Sequence, residues 1–273
     1  MIEEKLTPAQ RVKLARSSER PNIVDYIEAL FTDFFPLAGD RRIGDDESIL
    51  GGVALFHGMP VTVIGHRKGK NLEENIKYRF GMPNPEGYRK ANRLFLQAEK
   101  FGRPVITFID TPGAYPGLEA ESRGQGEAIA SCLATMSGLT VPTIAVVIGE
   151  GGSGGALALA VADKINLLEN AVFSVLSPEG FATILWKDSS RWEEACDVMK
   201  LTAKDLKTLG IADEIIAEPT GGVQVAPELI YKKIDVLLQT QLKELTKLSK
   251  NNLVKHRYAK LRFIGSDKGR DLK

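Results

Sequence analysis

The stretch Pro142-Thr143-Ile144-Ala145-Val146-Val147-Ile148 runs directly into Gly149-Glu150-Gly151-Gly152-Ser153-Gly154-Gly155, five glycines in seven positions. A short apolar run bounded by Pro and Gly, rich in β-branched residues, reads as a strand buried on both faces. Pro104-Val105-Ile106-Thr107-Phe108-Ile109 is a second such strand, and it runs into Asp110-Thr111-Pro112-Gly113-Ala114-Tyr115-Pro116-Gly117. Each strand leads through a glycine-bearing loop toward a helix, at about 124–137 and from Ala156 to Ala162. Buried strands alternating with helices predict an α/β fold around a covered, largely parallel sheet.

Working outward, residues 7–18 and 23–35 have helical spacing, with Ile23, Tyr26, Ile27, Leu30, Phe31 and Phe34 on one face. The charged stretch from Gly39 to Asp46 reads as turns. Gly52–Phe56 and Pro60–Ile64, joined by His57-Gly58-Met59, form a hairpin pattern. A basic loop follows, His66-Arg67-Lys68-Gly69-Lys70, and then a helix over 86–101 ending near Gly102. Residues 166–168 and 171–175 read as short strands, and Pro227 to about Arg262 as one long amphipathic helix or two. No composition shift divides the chain. It reads as a single domain over 1–273, with N-terminal helices (1–38), a core (39–222) and a C-terminal helical segment (223–273).

The 273 residues carry 36 Lys and Arg against 35 Asp and Glu, a net charge of +1. That balance argues against nucleic acid as a partner and provides no pull toward an anionic membrane. Cys132 and Cys196 are the two cysteines and form no C-x-x-C pair, and His57, His66 and His256 lack metal-ligand spacing, so no metal site is expected. Two unpaired cysteines and a polar start without a signal peptide suit a cytoplasmic protein. No apolar run reaches membrane-spanning length.

Glycines where a strand meets a helix let a ligand approach the backbone N–H groups of the first turn. Two such loops side by side could converge on one developing oxyanion. Other readings compete. Gly149–Gly154 fits G-x-G-x-x-G but lies mid-chain rather than in a first βα turn. Gly151-Gly152-Ser153-Gly154-Gly155 fits the G-x-S-x-G nucleophile elbow, which makes a serine hydrolase using Ser153 an alternative, though the histidine order is wrong for it. A glycine-rich packing turn is the third. Ser153 also fits as a loop hydrogen-bond donor, and Glu150 as a residue that holds the loop. Arg67, Lys68 and Lys70 could meet phosphates or a carboxylate, or form a solvated basic loop. The Leu237, Leu238, Leu242, Leu245 and Leu248 series suits a core or subunit interface. Met199-Lys200 lacks the second Met of a biotin-attachment sequence.

Longer strings narrow these options. Asp40-Arg41 with Gly44-Asp45-Asp46, Pro60 to His66, Asn75-Ile76-Lys77, Phe80-Gly81-Met82-Pro83, Pro85 to Ala91, Phe108 to Gly117, Ile148 to Ala156, and Ser177-Pro178-Glu179-Gly180 with Ile184-Leu185-Trp186-Lys187 stand in that order. Over about residues 20–222 the chain resembles the carboxyltransferase alpha subunit of bacterial acetyl-CoA carboxylase. It departs after Glu218-Pro219, reading Gly221-Gly222-Val223-Gln224 where that family tends to read Gly-Gly-Ala-His.

The resemblance implies a crotonase-like spiral of ββα units with flanking helices. It implies transfer of a carboxyl group from carboxybiotin, on a separate carrier protein, to acetyl-CoA, giving malonyl-CoA for fatty acid biosynthesis. The implied partners are a zinc-ribbon beta subunit, the biotin carboxyl carrier protein and biotin carboxylase, in an α2β2 carboxyltransferase whose whole complex uses ATP. On this reading Gly154 and Gly155, with Gly113 and Ala114 from the neighbouring loop, are the oxyanion-hole residues. Gly151 and Gly152 permit close approach of the biotin group, and Arg67, Lys68 and Lys70 are ligand-contacting cations. A noncatalytic acyl-CoA-binding subunit stays open as a further alternative.

Overall fold

A computed structural model describes residues 6–265. The elements in chain order are α1 (Pro8–Ala15), α2 (Ile23–Leu30), β1 (Thr32–Pro36), β2 (Ile49–Phe56), β3 (Met59–His66), α3 (Leu72–Lys77), α4 (Pro85–Phe101), β4 (Val105–Thr111), α5 (Leu118–Ser122), α6 (Gln125–Gly138), β5 (Thr143–Gly152), α7 (Ser153–Leu157), β6 (Lys164–Leu168), β7 (Val172–Ser174), α8 (Pro178–Trp186), α9 (Trp192–Met199), α10 (Ala203–Thr208), β8 (Glu214–Ile216), α11 (Pro227–Leu245) and α12 (Lys250–Phe263).

Local chemistry sets many of these boundaries. Thr7 and Gln10 form a capping box at the start of α1, and Asn22 and Asp25 form one at the start of α2. His57 (φ 48°) and Gly58 (φ 80°) both take left-handed geometry in the two-residue turn between β2 and β3, which matches strand twist. Pro85 opens α4 and left-handed Gly102 closes it.

The sheet order is β1-β2-β3-β4-β5-β6-β8. The strands β1, β2 and β3 pair antiparallel, and among the described residues the strand pairings beyond β3 are parallel, with one isolated antiparallel bridge between Val172 and Thr202. All residues of β4 and β5 are buried. One contiguous core joins Ile106, Phe108, Ile144 and Val146 of these strands to Leu94 and Phe95 of α4 and to Ile234 and Leu238 of α11.

Three expectations need correction. The helix read over 23–35 stops at Leu30, and Thr32–Pro36 is an edge strand. Thr32, Phe34 and Phe35 favour extended chain, and the helical spacing of Phe34 is coincidental. Strand β5 does not end at Ile148 but continues through Gly152. The helix expected from Ala156 to Ala162 is the short α7, starting at Ser153 and ending at Leu157. The C-terminal segment is two helices. Leu238, Leu242 and Leu245 are buried in the core, with Leu237 and Leu248 packed against it.

Candidate active site

The site is built where β4 and β5 end side by side. Their register pairs Ile109 with Val147 and next Thr111 with Gly151, so β5 passes Ile148, Gly149 and Glu150 while β4 passes Asp110 alone. This detour is a β-bulge, and it redirects the strand. Beyond it, Glu150, Gly151 and Gly152 pair with β7. Ser153 then turns the chain into α7 at φ 53°.

The 112–114 loop lies directly on this turn. A β-carbon on Gly152 would sit 2.1 Å from the Pro112 carbonyl oxygen. One on Gly155 would sit 2.5 Å from the Ala114 nitrogen and 2.7 Å from the Tyr88 hydroxyl. Both glycines are therefore required by backbone contact. Gly151 is required by Phe173, whose ring would lie 2.3 Å from its β-carbon. Gly154 differs, because its nearest neighbour would be Ile129 Cγ2 at 3.6 Å, ordinary contact. The loop is itself tethered: Tyr115 N–H donates to Pro83 O, and Gln125 Nε2 donates to both Pro83 O and Tyr115 O.

Gly113 and Ala114 of the loop thus lie against Gly152 and Gly155 of the turn. The Gly113 N–H, expected as an oxyanion donor, donates to Thr111 Oγ1 at 3.0 Å, and that hydroxyl donates to Gly113 O at 2.8 Å. Gly113, at φ 148°, shapes the loop while its amide is engaged within it. Gly154 and Gly155 stand in the first turn of α7, where N–H groups lack an intrahelical acceptor.

The basic loop is dispersed. Lys68 Nζ donates to Asp110 Oδ1 at 2.6 Å, Lys70 Nζ to Asp25 Oδ1 at 2.5 Å, and Arg67 lies over the Tyr78 ring at 4.2 Å. Lys68 and Asp110 line a polar cavity of about 220 Å³ with Arg16, Arg20, Asn75 and Glu150. On the other flank of the turn, an apolar groove of about 370 Å³ is lined by Ser153, Leu157, Phe173, Val175, Phe181 and Met199.

Several residues that organise this site escaped the sequence. Arg16 donates through Nε and Nη2 to the Glu150 carboxylate and through Nη1 to Glu179. Glu150 thereby holds the loop, as anticipated. Arg20 donates twice to Ile148 O, at 3.1 and 2.9 Å, and pairs with Glu218. That pair is buried. Burial alone would raise the Glu218 carboxyl, but its bonds to Arg20 and Asn170 outweigh this and hold it below its ordinary range. Tyr88 and His66 are fully buried; the Tyr88 hydroxyl has no hydrogen-bond partner, and the His66 ring lies against the backbone of Gly155 and Phe108. The arginine pairings join residues more than a hundred positions apart, so no local pattern signals them.

Ser153 has no histidine base. His57 bonds Asp235 and Gln239 beside the hairpin turn, His66 is sealed in the core, and His256 lies on α12. The nucleophile-elbow pattern is a coincidence of glycine spacing. Among the described residues no group of His, Cys, Asp and Glu could hold a metal, and no helix is long and apolar enough to cross a membrane.

Comparison with known proteins shows the family. The family model described as acetyl co-enzyme A carboxylase carboxyltransferase-like matches residues 1–265. The acetyl-coenzyme A carboxylase carboxyl transferase subunit alpha of Clostridium acetobutylicum is 58% identical over 96% of this chain and 96% of its own length. That of Bacillus subtilis is 57% identical over 97% of this chain and 81% of its own. The transcarboxylase 12S structure superposes with a TM-score of 0.68 at 20% identity, covering 84% of this chain and 43% of that one. A Pseudomonas malonate decarboxylase hetero-tetramer in complex with coenzyme A gives a TM-score of 0.70 at 16% identity, covering 93% and 94%. The structural matches place the chain in the crotonase-like fold. With a full-length family match, close relatives across nearly the whole sequence and that fold, the chain belongs to the alpha subunits of the acetyl-CoA carboxylase carboxyltransferase family.

Proposed function

We propose that this chain contributes one backbone oxyanion site to the transfer of a carboxyl group from carboxybiotin to acetyl-CoA, forming malonyl-CoA. The observation that carries the proposal is the interlock of Gly152 and Gly155 with Pro112-Gly113-Ala114. Two backbone segments meet with no side chain between them, at the end of the parallel strands where such folds bind ligands. The missing side chains of Gly151, Gly152 and Gly155 let Phe173 and the 112–114 loop close directly on the turn, which fixes the amides that follow. Carboxybiotin, borne by a separate carrier protein, supplies the carboxyl group. The residues of this chain do the rest of what is asked here: they position ligand oxygens and stabilise developing negative charge.

In this reading the donors are the amides of Gly154, Gly155 and Ala114, with Gly113 shaping the loop beside them. Fixed amides need no proton of their own to titrate and undergo no reorganisation as charge develops. Removing one donor of this type lowers turnover by about 100- to 1000-fold. Arg67 remains a candidate contact for a ligand carboxylate or phosphate. Lys68 and Lys70 contribute through the carboxylates they already hold.

The chain acts as one subunit of a larger carboxyltransferase. The proposed assembly is α2β2 with a zinc-ribbon beta subunit, served by the biotin carboxyl carrier protein and biotin carboxylase in the cytoplasm. Val175, Leu157, Ile184 and Leu185 are exposed, and the apolar groove begins at Ser153 itself. That continuity with the glycine turn supports placing the beta subunit there, closing the site from outside. The test is reconstitution. The chain alone should show no malonyl-CoA:biotin carboxyl exchange, and adding beta should restore it. Exchange by the purified chain alone would refute the shared-site reading.

A further inference from the structure

We propose that Asp110 is a positioning residue for carboxyl transfer, aiming the glycine turn by fixing the bulge in β5. The proposal rests on the reading of that turn as the oxyanion site.

The bulge is where β5 passes three residues against one. The ladder with β4 is interrupted here, so on that side the direction of the strand depends on side chains, while from Glu150 onward β5 pairs with β7. Asp110 is the residue opposite. Its Oδ1 accepts the Glu150 N–H at 3.0 Å and the Lys68 ammonium at 2.6 Å. The carboxylate side chain is only 9% exposed. A short charge-assisted bond in such a setting is strong and directional. Glu150 is the residue from which β5 leaves the bulge and pairs with β7, ahead of Gly151 to Gly155. Rotating its peptide would swing the following amides away from the 112–114 loop.

Gly149 supports the same assignment. A β-carbon there would sit 2.5 Å from Asp110 Oδ1 and 2.8 Å from its Cγ. The first glycine of the cluster is therefore required by the Asp110 carboxylate, whereas Gly152 and Gly155 are required by the loop. Arg20 holds the Ile148 carbonyl and Arg16 the Glu150 carboxylate, so the bulge is pinned from three directions. Of these, only the Asp110 bond grips the backbone on the side leading into the turn. Lys68 follows as the residue that holds Asp110 in place.

The test uses the full chain reconstituted with its beta subunit. Asp110→Ala should lower kcat for carboxyl exchange about 100-fold, the scale of losing one aligned donor, with KM for the acyl-CoA within about twofold. Asp110→Asn keeps an acceptor for the Glu150 N–H and should stay within about fivefold of the parent, since a neutral acceptor is roughly half as strong. Amide hydrogen exchange across Glu150–Gly155 should speed up in Asp110→Ala and not in Asp110→Asn. If Asp110→Ala does not assemble, Asp110→Ser replaces it, being too short to reach Glu150. Full kcat in the Ala or Ser variant, unchanged amide exchange at the turn, or equal losses in Ala and Asn would each overturn the assignment. A wild-type complex without carboxyl exchange would count instead against the proposed function. The amide-exchange contrast, measured on the chain itself, would still decide the role of Asp110.

Discussion

Gly155 and Ala114 touch backbone to backbone: a β-carbon on Gly155 would stand 2.5 Å from the Ala114 nitrogen. No side chain fits that gap without moving the loop. Gly155→Val is therefore expected to reduce carboxyl exchange at least about 100-fold while the core folds and the subunits assemble. Gly154→Ala, whose β-carbon would meet only the Ile129 side chain at 3.6 Å, should retain exchange within about threefold, since alanine also favours the helix. Steady-state exchange assays on both variants check this. Equal effects of the two substitutions would remove the steric distinction between these glycines.

Ser153 begins α7 at φ 53°, a conformation that costs a side-chain-bearing residue about 1 kcal/mol. Replacing it with glycine removes that strain at the expense of some chain entropy. Ser153→Gly should keep full exchange and melt at the same temperature or slightly higher. A tenfold loss of exchange would return the hydroxyl to consideration as a reacting group.

Arg257 is 1% exposed and donates to both carboxylate oxygens of Asp163 and to the carbonyls of Met136, Leu139 and Val141. Arg257→Ala leaves a buried carboxylate unpaired, which typically costs about 3–5 kcal/mol. A fall in melting temperature of about 10 °C is expected. Arg257→Lys should rescue little, because an ammonium cannot serve a carboxylate fork and three carbonyls together. Calorimetry distinguishes these outcomes, and a lysine variant as stable as the parent would contradict the bonding described.

His66 is wholly buried, and burial pushes its imidazole down to about 3 despite the nearby Asp110 carboxylate. In the unfolded chain a histidine titrates near 6.5. Between those values the unfolded state binds the extra proton, so stability is fully present above pH 6.5 and declines as pH falls toward 3. At pH 5 the loss attributable to this residue is about 2 kcal/mol. Urea unfolding at pH 7.5 and pH 5 should show it, and His66→Gln should flatten the difference. Identical pH dependence in both proteins would show that His66 is not the group responsible.

Much of the architecture was legible because its signals are local. Apolar runs at 104–109 and 142–148, the His57-Gly58 turn and the Pro85 and Gly102 boundaries each state their structure within a few residues. Thr32–Pro36 misled because Phe34 falls on a helical spacing as well as in a strand. The extent of β5 misled because glycine was read as the end of a strand, while pairing with β7 and a bulge against Asp110 keep Gly149–Gly152 extended. The convergence of Gly113, Ala114, Gly152 and Gly155 followed from two strand ends lying side by side. The engagement of the Gly113 amide by Thr111 depends on a side-chain rotamer that no spacing encodes. Arg16, Arg20 and Arg257 were unreadable for a simpler reason: their partners lie 94 to 198 residues away.

Strand β5 is gripped at its start by Arg257, through Val141 O and Asp163, and at its end by Arg16 and Arg20. One grip comes from residues that precede the strand in sequence and the other from residues that follow it. During synthesis Arg16 and Arg20 emerge before Ile148 and Glu150, while Arg257 emerges 94 residues after Asp163. The strand carrying the glycine turn thus receives this restraint only once α12 has been made. A polypeptide released early, anywhere before α12, would hold most of the sheet yet lack that clasp.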